Sequence, residues 1–139
     1  MREKLKKSPL APKSIKKIHD INGIELYVYS AGLYSKKRQD LAVFYFKNKT
    51  TVAEVFTKSS LRSCTLDWNE KNLRSKEIQA LIINSGNANV FNGKKGEEAL
   101  KKIITALSLK LSINKKEIYM ASTGVIGEPL DYKKIIRKI

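Results

Sequence analysis

Residues 118–127 read Ile-Tyr-Met-Ala-Ser-Thr-Gly-Val-Ile-Gly. A short apolar strand, Ile118 to Ala121, runs into small polar residues and glycine, with Pro129 just beyond. A hydroxyl residue beside a glycine at a strand end offers two donors to one point in space. The Thr123 hydroxyl is one, and the Gly124 backbone N–H is the other. Gly124 has no Cβ, so a ligand is expected to approach that N–H closely. Converging donors of this kind stabilise charge that develops on a carbonyl oxygen. Ser-Thr-Gly is also ordinary turn chemistry, and a plain turn is the alternative at this point.

A second stretch has the same design. Residues 80–89 read Ala-Leu-Ile-Ile-Asn-Ser-Gly-Asn-Ala-Asn. A β-rich run over 78–83, expected to be central in a sheet, enters a loop dense in amides, Asn84 to Asn89. Such a loop suits backbone that takes unusual φ and hydrogen-bonds internally. The alternative is a complicated turn that only builds the scaffold.

Outward from these two stretches the pattern alternates between strands and helices. Ile24 to Ser30 alternates with period two, behind the turn signal Asn22-Gly23. Residues 41–46 and 52–57 are strand-like, and Lys47-Asn48-Lys49-Thr50 between them predicts a hairpin. Residues 61–76 have little period, with room for a short helix near Trp68. Gly93 to Gly96 reads as a break. Glu97 and Glu98 then open a helix, acidic near its positive end. Leu100, Ile103, Ile104, Leu107 and Leu111 form its apolar face, and Lys101, Lys102 and Lys110 a solvated one. Asp131 is placed to cap a final helix with Ile135, Ile136 and Ile139 on its apolar side. That helix carries no stop signal, which predicts further chain after Ile139. Residues 1–14, charged and containing Pro9 and Pro12, are expected to form an extended arm, with the domain proper over 15–139.

With these residues in view, the chain resembles the ornithine acetyltransferase family, also called glutamate N-acetyltransferase, of arginine biosynthesis. Asn84 to Asn89 and Ala121 to Gly127 are the strongest matches. Ser8-Pro9-Leu10-Ala11-Pro12-Lys13, Ala31-Gly32-Leu33, Arg38-Gln39-Asp40-Leu41-Ala42 and Val52-Ala53-Glu54-Val55-Phe56-Thr57 follow the family's order. Glu54 is a departure, because glycine usually stands there. The resemblance implies part of a layered α/β sandwich of the family's own type, a mixed sheet with helices packed on it. It implies transfer of an acetyl group from N2-acetylornithine to L-glutamate, and in some members from acetyl-CoA. The nucleophile is a threonine freed by self-cleavage, carried on a β chain that stays with the α chain in an α2β2 assembly. Nothing in residues 1–139 resembles that cleavage site, so these residues alone are expected to be inactive. Thr123 and Gly124 carry over as the oxyanion-stabilising pair. No cofactor or metal is implied.

Composition limits the other classes. A chain of 139 residues fits one domain with a real core. The formal net charge is +15, which alone would suggest nucleic acid. Only five of the 28 basic residues are Arg, however, and the lysines are scattered. Arg is the residue suited to bidentate phosphate contacts, so no specific nucleic-acid partner is expected. A basic binding module and a non-catalytic remnant of the fold are the alternative functions. Cys64 and His19 are each alone, which excludes an internal disulfide and argues against a metal site. Cys64 is expected to be a small, partly buried residue. No apolar run of membrane-spanning length and no signal-peptide pattern is present, so the expected location is cytoplasmic, without a membrane.

Overall fold

The computed structural model describes residues 9–11, 14, 19–34 and 38–139, so most of the expected N-terminal arm lies outside the described residues. Strand β1 spans Ile24–Tyr29, β2 Leu41–Thr51, β3 Glu77–Asn87 and β4 Ile118–Val125. Helix α1 spans Cys64–Asn72, α2 Gly93–Leu111 and α3 Tyr132–Ile136. The sheet order is β1-β2-β3-β4. The first two pairings are antiparallel and the last, β3 with β4, is parallel. Parallel neighbours need a crossover, and α2 supplies it.

One sheet face carries the core. Leu41, Val43, Ala80, Ile82, Ile118 and Met120 meet Leu100, Ile103, Ile104 and Leu107 of α2 there. Burying each Leu or Ile side chain is worth about 1.5–3 kcal/mol, so the α2 stripe is a main source of stability. Lys101, Lys102 and Lys110 point to solvent, as the helical spacing predicts. On the opposite face Leu26 and Val28 stay 55% and 42% exposed, beside the half-buried Phe44 and Leu81.

Both sheet edges are strands, and the β4 edge is covered. Trp68 Nε1 donates to the Ile118 carbonyl at 2.9 Å. The Asn69 amide then pairs with both backbone groups of Met120. Its Nδ2 donates to Met120 O at 3.2 Å, and its Oδ1 accepts from Met120 N at 3.1 Å. One side chain thus replaces a strand partner and blunts the edge.

Three local expectations are corrected. The Lys47–Thr50 stretch is not a hairpin. It continues β2, past an irregularity between Tyr45 and Thr50, to pair Thr50 with Ile78 and Thr51 with Glu77. β3 is long enough to offer a partner there, and Lys49 reaches Glu117 at 2.6 Å. Residues 52–57 then form no strand, although Val52 N donates to Lys76 O at 3.0 Å. Second, α2 begins at Gly93, not at Glu97. Glycine suits its first turn because a Cβ on Gly96 would lie 2.8 Å from Asn89 Oδ1. Third, Asp131 holds the N-cap position of α3, yet its side chain makes no capping bond. Its carboxylate lies 3.9 Å from Lys134 Nζ instead.

Candidate functional site

The two stretches that decided the sequence reading lie side by side. β3 and β4 run parallel, and Asn84 pairs with Ser122, Ser85 with Thr123 and Gly86 with Gly124. Their carboxyl ends therefore open at the same end of the sheet, the usual place for a ligand in open α/β sheets. The register becomes irregular at Gly86 and Asn87, where Asn87 faces both Thr123 and Val125. β4 is longer than the apolar run suggested, so Ser122 to Val125 belong to the strand itself.

Thr123 and Gly124 are exposed. Among the described residues, no protein group hydrogen-bonds the Thr123 hydroxyl. The backbone on either side of Gly124 is fixed by its partners. Successive residues of a strand turn their N–H groups to opposite edges. The Ile118 carbonyl and both Met120 groups face α1, while the Val125 carbonyl faces inward and accepts from Ala88 N at 2.9 Å. Gly124, between them, has φ +132° beside the irregular part of the ladder, so the regular alternation does not carry through it.

The reason for a glycine at 124 differs from the expected one. Its φ is +132°, and a Cβ would stand 2.3 Å from the Gly86 carbonyl carbon and 2.5 Å from Asn87 N. The space that the missing side chain frees is filled by β3, not left for a ligand. Gly86 is in turn covered by Tyr34, whose ring carbon would be 3.0 Å from a Cβ there.

The amide-rich stretch Asn84 to Asn89, expected as a loop, begins inside β3, which runs to Asn87, and it holds this end of the sheet together. Ser122 Oγ donates to Asn84 Oδ1 at 2.6 Å, and Asn84 Nδ2 donates to Asn87 O at 2.8 Å. Asn87 Nδ2 donates to Glu128 O, and its Oδ1 accepts from Asn89 N, both at 2.8 Å. Asn89 Nδ2 reaches Gly96 O in the first turn of α2 at 3.1 Å. Ser63, the N-cap of α1, donates to Asn89 O at 3.1 Å. Asn84 and Asn89 are almost fully buried, so every one of these bonds offsets a desolvation cost.

Sequence reasoning missed Asp40, Tyr34 and Ser85. Asp40 is buried, and its carboxylate accepts from the N–H groups of Ala31, Gly32 and Leu33 at 2.6, 3.1 and 2.7 Å. Ser85 N donates to Asp40 O at 2.8 Å, and Ser85 Oγ meets the Tyr34 hydroxyl at 3.1 Å. The Arg38 guanidinium stacks 4.0 Å above the Tyr34 ring. Asp40 stood in a quoted segment, but neither its backbone partners nor the place of Tyr34 has a local signal.

Cys64 is half-buried, and its Sγ accepts from Asn89 Nδ2 at 3.1 Å. Burial, with smaller contributions from Glu97 and Asp67, pushes its thiol from the ordinary 9.0 up to about 11. It is a protonated packing residue, not an activated nucleophile. Among the described residues no three His, Cys, Asp or Glu side chains gather as a metal site. No helix of the described residues is long and apolar enough to cross a membrane.

A mixed sheet, a crossover helix and two parallel strand ends locked by buried asparagines define an α/β protein with one built strand-end site. The chain belongs to the ArgJ family, whose model matches residues 25–139. It is similar to the arginine biosynthesis bifunctional protein ArgJ of Mesorhizobium japonicum, 43% identical over 127 residues. That alignment covers 91% of this chain and 31% of the relative. The corresponding protein of Bartonella quintana is 39% identical over 132 residues, 95% of this chain and 32% of the relative. Among solved structures, ornithine acetyltransferase from Mycobacterium tuberculosis, complexed with ornithine, superposes with TM-score 0.80 at 26% identity. It is matched over 84% of this chain and 64% of that one. The ArgJ structure from Bacillus halodurans gives TM-score 0.79 at 26% identity, over 84% and 61%. The chain spans about a third of the length of the curated relatives it matches. The expected fold class, a mixed sheet with helices packed on it, agrees with these neighbours.

Proposed function

We propose that this chain supplies the oxyanion-stabilising part of an acetyltransferase of arginine biosynthesis, acting in the cytoplasm. The enzyme moves an acetyl group from N2-acetylornithine to L-glutamate through an acetyl-threonine intermediate. The threonine nucleophile belongs to a partner β chain made by self-cleavage, in an α2β2 assembly. When that threonine attacks the acetyl carbonyl, the oxygen gains negative charge. The Thr123 hydroxyl and the Gly124 N–H donate to it, and they do so again when glutamate attacks the acetyl-enzyme. No metal or cofactor is needed for either half-reaction.

The observation that carries this proposal is the pairing of Thr123 and Gly124 at the open end of β4. The Thr123 hydroxyl has no protein partner among the described residues, and both residues are exposed. Donors fixed before the reaction need no reorganisation when charge develops, which is why such pairs accelerate acyl transfer.

The test is a chimaera in which residues 1–139 replace the matching region of the Mesorhizobium japonicum relative. Given N2-acetylornithine and glutamate, it should make N-acetylglutamate and ornithine, whereas residues 1–139 alone should make neither. A folded chimaera without turnover, beside an active parent, would overturn the proposal. So would turnover by residues 1–139 alone, because the nucleophile would then lie within them.

A further inference from the structure

Asn84 is the one polar side chain in the run Ala80-Leu81-Ile82-Ile83-Asn84, and it is fully buried on the same face as Ala80 and Ile82. A buried amide needs partners for both ends, and the two that Asn84 has are informative. Its oxygen takes the Ser122 hydroxyl at 2.6 Å, and its nitrogen gives to the Asn87 carbonyl at 2.8 Å. Ser122 is the residue before Thr123. Asn87 is the residue whose backbone nitrogen packs against Gly124. One side chain therefore ties the strand leading into the first donor to the loop that presses on the second.

The ladder by itself does not fix this region. Its register is regular from Ala80 to Gly86, then breaks, with Asn87 opposite both Thr123 and Val125. The break falls beside Thr123 and Gly124. An irregular ladder leaves the local twist and direction underdetermined, and a side-chain bridge across it restores a single geometry. Asn87 is held from its other side as well, through Glu128 O and Asn89 N.

We infer that Asn84, with Ser122, is a positioning element that aims the Thr123 hydroxyl and the Gly124 N–H at a common point. The inference rests on the oxyanion role proposed above and adds the residues that make that role geometrically sharp. Asn84 is fully buried, and the Ser122 hydroxyl is turned to it. Their effect passes through the orientation of β4 over residues 122–124. An error of about 1 Å in the position of a catalytic group can cost on the order of 10²-fold in rate.

The test uses the chimaera with Ser122→Ala, Ser122→Thr, Asn84→Ala and Thr123→Val, and Ser122→Ala combined with Thr123→Val. Ser122→Ala should lower kcat by roughly 10- to 10²-fold with little change in KM, because the oxyanion exists only around the transition state. Ser122→Thr keeps the hydroxyl and should retain most of kcat. In the double variant, Ser122→Ala should cost much less than it does alone, since one donor it aims is already gone. Normal kcat in Ser122→Ala and Asn84→Ala, or fully additive losses, overturns the inference while leaving a low kcat in Thr123→Val to support the oxyanion role. Normal kcat in Thr123→Val overturns that role instead.

A second measurement does not depend on turnover. In residues 1–139, Ser122→Ala should shift or broaden the Thr123 and Gly124 amide resonances and leave those of Ile103 and Ile104 in α2 in place. Unchanged Thr123 and Gly124 resonances in that variant overturn the inference even if every chimaera is inactive.

Discussion

Gly124 and Gly86 are backbone against backbone: a Cβ on Gly124 would lie 2.3 Å from the Gly86 carbonyl carbon. No L side chain fits that distance without moving β3. The contact makes the two glycines a single packing unit, next to Thr123 in the strand.

Gly124→Ala should therefore be among the most damaging single changes in the chain. It combines a φ of +132°, which disfavours any Cβ, with a clash that no rotamer relieves. The expected loss is about 3 kcal/mol or more. Gly23→Ala is the control, because Gly23 has φ +86° but nothing within 4 Å of its Cβ position. It should lose only about 1 kcal/mol. Equal melting temperatures for the two variants would show that backbone conformation, not contact with β3, selects glycine at 124.

Thr123→Val should separate chemistry from stability. Valine keeps the branched shape and removes the hydroxyl. That hydroxyl has no protein partner among the described residues, so Tm should hardly move. In the chimaera, loss of one oxyanion donor should lower kcat by about 10²–10³-fold. A fall in Tm with unchanged kcat would make Thr123 a turn residue and return the plain-turn alternative to first place.

Asp40→Ala should destabilise without touching the donors. It leaves the N–H groups of Ala31, Gly32 and Leu33 without their common acceptor, and Ala31 is buried. The cost should be about 3 kcal/mol, or roughly 10 °C in Tm for a domain of this size. Asp40→Asn should fall in between, since the amide can still accept on one oxygen. Chemical denaturation of the three proteins ranks them, and an Asp40→Ala as stable as the parent would refute the account.

Cys64 should react slowly with thiol reagents at neutral pH and faster only as pH approaches its raised value of about 11. The sign for stability follows. The unfolded thiol loses its proton near the ordinary 9.0, while the folded one holds it to about 11. Its stabilising contribution is thus complete below about pH 9 and is lost as pH rises through 11. Rapid alkylation of the folded protein at pH 7 would contradict this.

Much of the architecture is legible in local sequence, and the failures are instructive. The α2 stripe, Leu100 to Leu107, and the apolar starts of β3 and β4 could be read directly, because periodicity is a local signal, whereas both strands run past the expected ends at Asn84 and Ser122, to Asn87 and Val125. The hairpin at Lys47–Thr50 could not. A polar run looks like a turn, yet it extends β2 because β3 offers it partners down to Glu77. The Gly93–Gly96 break failed for a related reason. Glycine is a poor helix former, but Asn89 needs the space beside Gly96.

The site divides in the same way. The sequence by itself determined that Thr123 and Gly124 stand near the end of one strand and an asparagine-rich stretch near the end of another. Only the tertiary structure decided that these ends are parallel neighbours. Only it placed Gly124 against Gly86 and joined Asn84 to Ser122 across 38 residues of chain. It also closed Asp40 over the Ala31–Leu33 backbone. The physical reason is that strand ends and helical stripes are set by interactions a few residues apart. A hydrogen bond or a missing Cβ between strands has meaning only once the sheet has chosen its order and register.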